Sequence, residues 1–200
     1  MRCSDLERQS PRALRRLKRI ERENSLRKLV ESNPLLTDED LAEMLKVSVS
    51  TIRFDRARLG IPEVRERMRE MAERARSMLR SLSPEEMTGE LIELKINESG
   101  ISVLETTQEM AFKGSNIIRE IYTFAQASSL AMALIGSEEV LIGRARVSFK
   151  HPVRVGDKIV ARSRVANRKG NKFLISVHSY VNDVEVFVGH FIVVSLGKGG

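Results

Sequence analysis

Apolar residues recur with two different periods along the chain, and the period changes near Thr88. Before that point they recur every three or four residues, which predicts helices. After it they mostly alternate with polar residues, which predicts strands. A long apolar helix is predicted over residues 116–135, and it should be buried because its interior, residues 124–133, is apolar or small almost all round. We therefore expect an α+β chain with a helical N-terminal part and a sheet-forming C-terminal part.

Two short helices joined by a tight turn are predicted between Thr37 and Leu59. Thr37 and Asp40 have the spacing of a capping box, so a helix should begin at Asp38. After a short turn, Ser48 is a good N-cap for a second helix. This arrangement is typical of a helix-turn-helix, whose second helix enters the DNA major groove. The alternative is a helical hairpin whose charges form a solvated face.

The second helix carries residue types that suit DNA recognition. Val49, Ile52 and Leu59 should face inward. Small hydroxyl residues at the start would let the helix approach the groove, and outward arginines would reach guanine edges or phosphates. The candidate DNA-binding residues here are Ser48, Ser50, Thr51, Arg53, Arg56 and Arg58.

Positive charge is concentrated in the helical part of the chain. The 200 residues carry a net charge of +7. Residues 1–80 hold 20 Lys and Arg against 14 Asp and Glu, whereas residues 81–200 hold 14 against 13. A polyanion such as double-stranded DNA is therefore the expected partner of the first part.

Cysteine content and hydropathy bear on the compartment. Cys3 is the single cysteine, so no intrachain disulfide is possible, which suits a reducing environment. No apolar run approaches the length of a membrane span. We expect a cytoplasmic protein with no membrane partner.

A first helix is expected over about 14–31. A very basic segment, residues 12–20, overlaps the start of this helix. Lys18 and Arg19 in that segment are candidate DNA contacts of a basic arm, and the alternative is a solvated basic tail. The helix should complete a winged-helix-like core with the helix-turn-helix. Its packing residues should be Leu17, Ile20, Leu26, Leu29 and Val30.

An amphipathic linker helix is predicted over about 62–80. Its apolar residues are spaced alternately by three and four, so one face should pack against a partner copy or the following domain. Arg65 on this helix is a further candidate DNA contact. The apolar face consists of Ile61, Val64, Met68, Met71, Ala75 and Met78. The expected domains are residues 1–60, 61–86 and 87–200.

The C-terminal part predicts two strands, one buried helix and four more strands. An antiparallel sheet wrapped around one helix, the hot-dog arrangement, follows from this order. The predicted elements are strands 90–96 and 101–107, a helix over 116–135, and strands 140–150, 158–167, 172–181 and 184–195.

Short segments throughout the chain match one known family in the same order. They are TIRFDR at 51–56, IPEVRER at 61–67, FAQA at 124–127, SLA at 129–131 and SYV at 179–181. Residues 151–161, HPVRVGDKIVA, resemble hot-dog acyl-CoA thioesterases and MaoC-like proteins. The whole chain resembles the FapR family, repressors of fatty-acid and phospholipid synthesis genes in Gram-positive bacteria.

The resemblance implies a homodimer that binds an operator and releases it when malonyl-CoA enters the hot-dog domain. The family arginine that pairs with the malonyl carboxylate corresponds to Arg119, and a phenylalanine near the pocket corresponds to Phe112. Glu120 stands where the family has glycine and Ser128 where it has asparagine, so the preferred acyl group can differ. With Lys113 and Gly114 of the same loop, these are the candidate effector-binding residues.

The mechanism suggested by the resemblance couples the loop to the DNA-binding part. Ligand at Arg119 would order residues 110–115, shift the contact with the linker helix, and move the recognition helices out of step with successive major grooves. The cations named for CoA phosphates are Lys113, Arg146 and Lys150.

An active acyl-CoA thioesterase fused to a DNA-binding head is the alternative function. Glu120 would then activate water, although a helix-start acid favoured by the helix dipole explains it as well. His151, His178 and His190 lack metal-ligand spacing and are expected to be ordinary sheet residues. We expect no catalytic residue, no metal and no cofactor, with malonyl-CoA as an effector only.

Overall fold

The computed structural model describes residues 11–196, with side chains described from Arg19 onward. The chain divides into two compact units, and the boundary lies between Glu70 and Met71. The predicted three-part division is a finer statement and stays a prediction. The helices are α1 (Pro11–Ser32), α2 (Asp38–Leu45), α3 (Val49–Leu59), α4 (Val64–Ser77) and α5 (Glu120–Ala133). The strands are β1 (Glu90–Lys95), β2 (Ser99–Glu105), β3 (Val140–Phe149), β4 (Lys158–Lys169), β5 (Lys172–Val181) and β6 (Val184–Ser195).

Helices α1, α2 and α3 share a small apolar core. Leu26, Leu41 and Ile52, one from each helix, are fully buried. Ile20 is exposed, so the prediction that it packs inward was wrong. Leu17 lies outside the described side chains. No strand occurs between Pro11 and Gly89, so this described segment has the helical core without a wing.

The caps of α2 and α3 form as predicted. The Thr37 hydroxyl accepts from the Asp40 backbone N–H, and the Asp40 carboxylate accepts from the Thr37 backbone N–H. Ser48 caps α3 by accepting from the Thr51 N–H at 3.2 Å. Gly60 then ends α3 in the left-handed region, at φ 66°, where glycine carries no Cβ penalty. Local hydrogen-bond chemistry therefore sets both ends of α3.

Arg67 on α4 ties the N-terminal unit together, and no sequence pattern indicated it. Its buried guanidinium donates to the carbonyls of Pro34 (3.0 Å), Pro62 (2.6 Å) and Leu36 (2.6 Å). Burial lowers the pKa of Arg67 from its ordinary value. The bonds to Pro34 and Leu36 join α4 to the segment between α1 and α2, and the bond to Pro62 holds the segment between α3 and α4.

The apolar face predicted for the linker helix is only partly buried. Ala75 packs in the core of the C-terminal unit. Met78 is exposed and lies beyond the end of α4 at Ser77, so its place in this face was predicted wrongly.

The C-terminal unit is a six-stranded antiparallel sheet in the order β1-β2-β4-β5-β6-β3 that packs on α5. Ala127, Leu130 and Ala131 of α5 are fully buried against it. The predicted sheet around one helix is confirmed. β3 lies at one edge of the sheet and is mostly exposed.

Helix α5 begins at Glu120, four residues later than predicted. Asn116–Arg119 instead belong to an extended segment, in which Ile118 pairs with Ala111 and Ile117 pairs with Arg154. Apolar periodicity cannot separate such a segment from the helix that follows it. None of the helices in residues 11–196 is long and apolar enough to cross a membrane.

We expect Arg67→Met to destabilise the N-terminal unit by about 3 kcal/mol, because three carbonyls lose a charged donor. Urea unfolding followed by far-UV circular dichroism measures the change. Arg69→Met is the matched control, since Arg69 lies on the same helix and pairs at the surface with Glu66. Equal stability of the two variants would contradict the role given to Arg67.

Candidate functional site

Hydroxyl groups gather at the N-terminus of α3. The Ser48 Oγ lies 2.9 Å from the Ser50 Oγ and 2.8 Å from the Thr51 Oγ1. The end of a helix where N–H groups point outward attracts anions, and hydroxyls add donors for phosphate. The predicted hydroxyl candidates therefore lie together at a suitable end of α3.

One exposed face runs along α3 through Ser50, Arg53, Phe54 and Ala57. Their spacing of three and four residues places them on one side of the helix. The Arg53 side chain is 64% exposed, and its Nε lies 3.5 Å from the Asp38 Oδ2. Phe54 is 65% exposed, although an aromatic residue of this size is usually buried. The sequence did not indicate Phe54 as a surface residue, because an apolar side chain predicts burial.

Arg56 does not face outward, and that prediction was wrong. It is 5% exposed, and its guanidinium donates to Asp38 at 2.6 and 2.9 Å and to the Ile61 carbonyl at 3.0 Å. Hydrogen bonding to Asp38 raises the pKa of Arg56, and the same bonds lower the pKa of Asp38. Arg56 therefore joins α2 to α3 and is not available to a nucleic acid.

The remaining basic candidates of this unit differ in exposure. Arg58 forms an ion pair with Glu23, and its Cζ lies 5.9 Å from the centroid of the Phe54 ring. The Arg19 Nε lies 3.6 Å from the Glu23 Oε1. Arg65 is exposed at the start of α4. The side chain of Lys18 lies outside the described residues.

Arg119 precedes α5 as its N-cap residue; the prediction that it lies within the helix was wrong. Its Nε donates to the Met110 carbonyl at 3.2 Å, and its Nη2 donates to the Glu109 carbonyl at 3.0 Å and the Tyr122 hydroxyl at 2.7 Å. The guanidinium also lies over the Tyr122 ring, 5.0 Å from its centroid. Arg119 is thus half-buried. Its hydrogen-bond partners Glu109, Met110 and Tyr122 are called its polar frame below.

The loop in front of Arg119 is a short hairpin. The Phe112 N–H donates to the Ile117 carbonyl at 3.0 Å, and the Ser115 N–H donates to the Phe112 carbonyl at 3.0 Å. Gly114 takes φ 75° at the tip, and both Lys113 and Phe112 are exposed. The predicted loop residues therefore lie together, beside Arg119. Ser128 lies on α5 two turns beyond Arg119, with its hydroxyl bonded to the Ala125 carbonyl.

Glu120 lines a different space from Arg119. A cavity of about 260 Å³ lies between the start of α5 and the segment after β3. Glu120, Thr123, Lys150 and His151 bring polar groups to it, and Ile118, Phe149, Pro152, Val153 and Val186 bring apolar ones. Of the six effector candidates, this cavity therefore contacts only Glu120.

Lys150 is engaged by a cluster on the outer face of the sheet. It pairs with Glu185, whose other oxygen lies 2.6 Å from the His178 Nδ1 and 3.4 Å from the Tyr180 hydroxyl. Lys150 first, and then His178, lower the pKa of Glu185 to about 2. Arg146 is exposed on β3. Within residues 19–196, no group of three potential ligands could hold a metal ion.

Related proteins were found over nearly the whole chain. Transcription factor FapR of Thermoanaerobacter sp. (strain X514) is 44% identical over 183 residues, 92% of each chain. Transcription factor FapR of Staphylococcus haemolyticus (strain JCSC1435) is 40% identical over 176 residues, 88% of this chain and 95% of that one. No model in a scan of protein families matches the chain. The chain belongs to the FapR family.

Membership in the FapR family makes this chain a transcription regulator. The matched relatives are named transcription factors, so the non-enzymatic interpretation is confirmed over the thioesterase alternative. The interpretation of Glu120 as a helix-start acid stays a prediction.

Solved structures similar to this FapR-family chain share the hot-dog fold. Cj0977, a sigma28-regulated virulence protein from Campylobacter jejuni, is 26% identical with a TM-score of 0.60, covering 64% of this chain and 92% of its own. The uncharacterized protein PH1136 from Pyrococcus horikoshii is 30% identical with a TM-score of 0.56, covering 60% of this chain and 92% of its own. The predicted fold class is confirmed.

We expect Asp38→Asn to lower the free energy of unfolding at pH 7 by about 3 kcal/mol, because Arg56 is left buried without its carboxylate. The pKa of Asp38 is lower in the folded state than in the unfolded chain. Its contribution is therefore complete above the unfolded pKa and is lost as pH falls through the folded one. Denaturant unfolding between pH 7 and pH 3 should show the two proteins converging toward acid. Glu43→Gln, on the same helix, should change stability by less than about 0.5 kcal/mol, and a deficit in Asp38→Asn that is constant with pH would contradict the assignment.

Proposed function

We propose that the protein represses lipid-synthesis genes as a homodimer bound to operator DNA, and that malonyl-CoA or a related acyl-CoA releases it. The relation to transcription factor FapR over 92% of the chain supports this most strongly, because it spans both units. The N-terminal and C-terminal units therefore occur together in a related transcription factor.

The exposed face of α3 supports the DNA-binding half of the proposal. Ser48, Ser50 and Thr51 offer hydroxyls at the helix N-terminus, where they would contact phosphate. Arg53 offers an exposed guanidinium for a guanine edge, and Phe54 an apolar surface for a thymine methyl. Phosphate contacts position a protein on DNA, whereas contacts to base edges recognise the sequence. Arg53 and Phe54 are therefore the residues proposed to recognise the operator sequence.

The basic residues around this face would contribute salt-dependent attraction to the DNA backbone. Arg58 and Arg65 are exposed or partly exposed near α3, and Lys18 and Arg19 belong to α1. Arg56 leaves the proposed contact set, because its charge is used within the fold.

The polar frame of Arg119 supports the effector half. A guanidinium is a good partner for a carboxylate, and partial burial strengthens the pair. Phe112 offers an exposed apolar surface beside it, and Gly114 leaves open space where a Cβ would stand. Lys113 on the same hairpin would attract a phosphate of CoA.

The two departures from the family bear on the acyl group. Glu120 lines the cavity, and no hydrogen bond or ion pair joins it to Arg119 within the described residues, so it leaves the guanidinium without a competing carboxylate. Ser128 is bonded to its own helix, which limits it to a weaker partner for a ligand than asparagine. An acidic acyl group on Arg119 therefore stays the best proposal.

Release requires that the effector bind the state that does not hold DNA more tightly than the state that does. We propose that ligand at Arg119 acts on the hairpin Met110–Ser115 and thereby on α4. The two recognition helices of the dimer would then lose the spacing of successive major grooves.

We expect Arg53→Ala to weaken operator binding about tenfold to a hundredfold, because a bidentate base contact is lost. A gel-shift titration with an inverted-repeat operator measures this. Arg162→Ala removes an exposed arginine of β4 and is the control, which should bind normally. Unchanged binding by Arg53→Ala would remove Arg53 from the interface.

We expect Arg119→Ala to bind the operator normally and to resist release by malonyl-CoA, because the carboxylate loses its partner. The same gel shift, titrated with malonyl-CoA and acetyl-CoA, separates the two properties. Arg162→Ala should be released as the wild-type protein is. If Arg119→Ala lets go of DNA at the wild-type malonyl-CoA concentration, the proposed effector site is wrong.

A further inference from the structure

The Arg119 guanidinium is already hydrogen-bonded on two of its three nitrogens. Nε donates to the Met110 carbonyl, and Nη2 divides its two protons between the Glu109 carbonyl and the Tyr122 hydroxyl. No hydrogen bond of Nη1 is found within residues 19–196. An arginine has five donors in a fixed planar arrangement, so binding on one edge determines where the other donors point.

Tyr122 holds Arg119 in two ways. Its hydroxyl accepts from Nη2 at 2.7 Å, and its ring lies under the guanidinium at 5.0 Å. The two backbone carbonyls fix the edge of the guanidinium, whereas the ring fixes its plane. A side chain held at both edge and face loses most of its rotational freedom before any ligand arrives.

The position of Tyr122 is itself set by the fold. It lies three residues after Arg119, in the first turn of α5, so both side chains lie on the same side of the chain. Tyr122 is half-buried against the core of the C-terminal unit. It can therefore act as a fixed support, while the hairpin in front of Arg119 belongs to a more exposed segment.

We propose that Tyr122 is the positioning residue for Arg119 and that it keeps Nη1 directed to an acidic acyl group. This inference rests on the proposed function, because it assumes that the effector carboxylate binds Arg119. An acyl group without a carboxylate makes no use of Nη1. Tyr122 therefore contributes to the preference for malonyl-CoA over acetyl-CoA, and not to acyl-CoA binding in general.

Tyr122→Phe tests the role of the hydroxyl, since it keeps the ring and its contact with the guanidinium. We expect the malonyl-CoA concentration for half-release of the operator to rise about tenfold, as for a lost hydrogen bond to a charged group. Operator affinity and the response to acetyl-CoA should stay within about twofold. A structural defect would weaken both acyl-CoAs equally, so the ratio of the two responses separates positioning from damage.

The composition of the chain supplies a matched control and a direct probe. The chain has two tyrosines and no tryptophan. Tyr180→Phe removes the other tyrosine, which lies on β5 beside Glu185, and should leave release unchanged. Protein labelled with 3-fluorotyrosine has two fluorine sites, and the Tyr180→Phe variant assigns them. Malonyl-CoA should shift the Tyr122 resonance, acetyl-CoA should leave it in place, and Arg119→Ala should abolish the malonyl-CoA shift.

Each outcome is decisive. The role given to Tyr122 would be overturned, while the proposed function stands, by either of two results. One is that Tyr122→Phe keeps the wild-type ratio of its responses to malonyl-CoA and acetyl-CoA. The other is that malonyl-CoA does not shift the Tyr122 resonance. If the wild-type protein itself keeps the operator at saturating malonyl-CoA, the proposed function fails, and the role of Tyr122 fails with it. The fluorine spectrum uses the unaltered fold, so it remains informative if Tyr122→Phe is unstable.

Discussion

The packing of α5 against the sheet is the constraint on which the C-terminal unit depends. Small residues such as Ala127 and Ala131 let the helix approach the strands closely, and both are fully buried. Gln126 beside them donates to the carbonyls of Ser102 and Ile159, each at 3.2 Å. These bonds tie the helix to β2 and β4 and compensate part of the cost of burying an amide. Because α5 is fixed in this way, its first turn is a rigid place from which to present a charged group.

Charged residues fall into two groups with different physical roles. Arg56 and Arg67 are buried, and each has several oxygen partners that join separate segments of the N-terminal unit. Arg53 is exposed, and its pairs with Asp38 and Glu39 are long and weak. Arg119 belongs between these groups, since it is half-buried with two nitrogens bound. A ligand can gain from such a group, because the surrounding structure has already oriented it.

The sequence predicts most where the deciding chemistry is local. Thr37, Asp40 and Ser48 cap helices through neighbours three residues away, so their roles are legible from spacing. Arg56 was misplaced because its partner Asp38 lies 18 residues earlier, and no periodicity reports such a pair. The start of α5 was missed because Ile117 and Ile118 are apolar but pair with distant backbone. The strands and the helix between them followed from pattern alone, whereas the frame around Arg119 needed the fold.

In the proposed mechanism, malonyl-CoA in the C-terminal unit and operator DNA on the N-terminal unit weaken each other's binding. Linkage requires the influence to be reciprocal: the factor by which malonyl-CoA weakens operator binding must equal the factor by which operator DNA weakens malonyl-CoA binding. Calorimetric titration of malonyl-CoA into the free protein and into the operator complex measures the second factor directly. We expect malonyl-CoA to bind the free protein at least about tenfold more tightly than the complex, a typical coupling between sites. Equal affinity of malonyl-CoA for the free protein and for the operator complex would show that the two sites are not coupled.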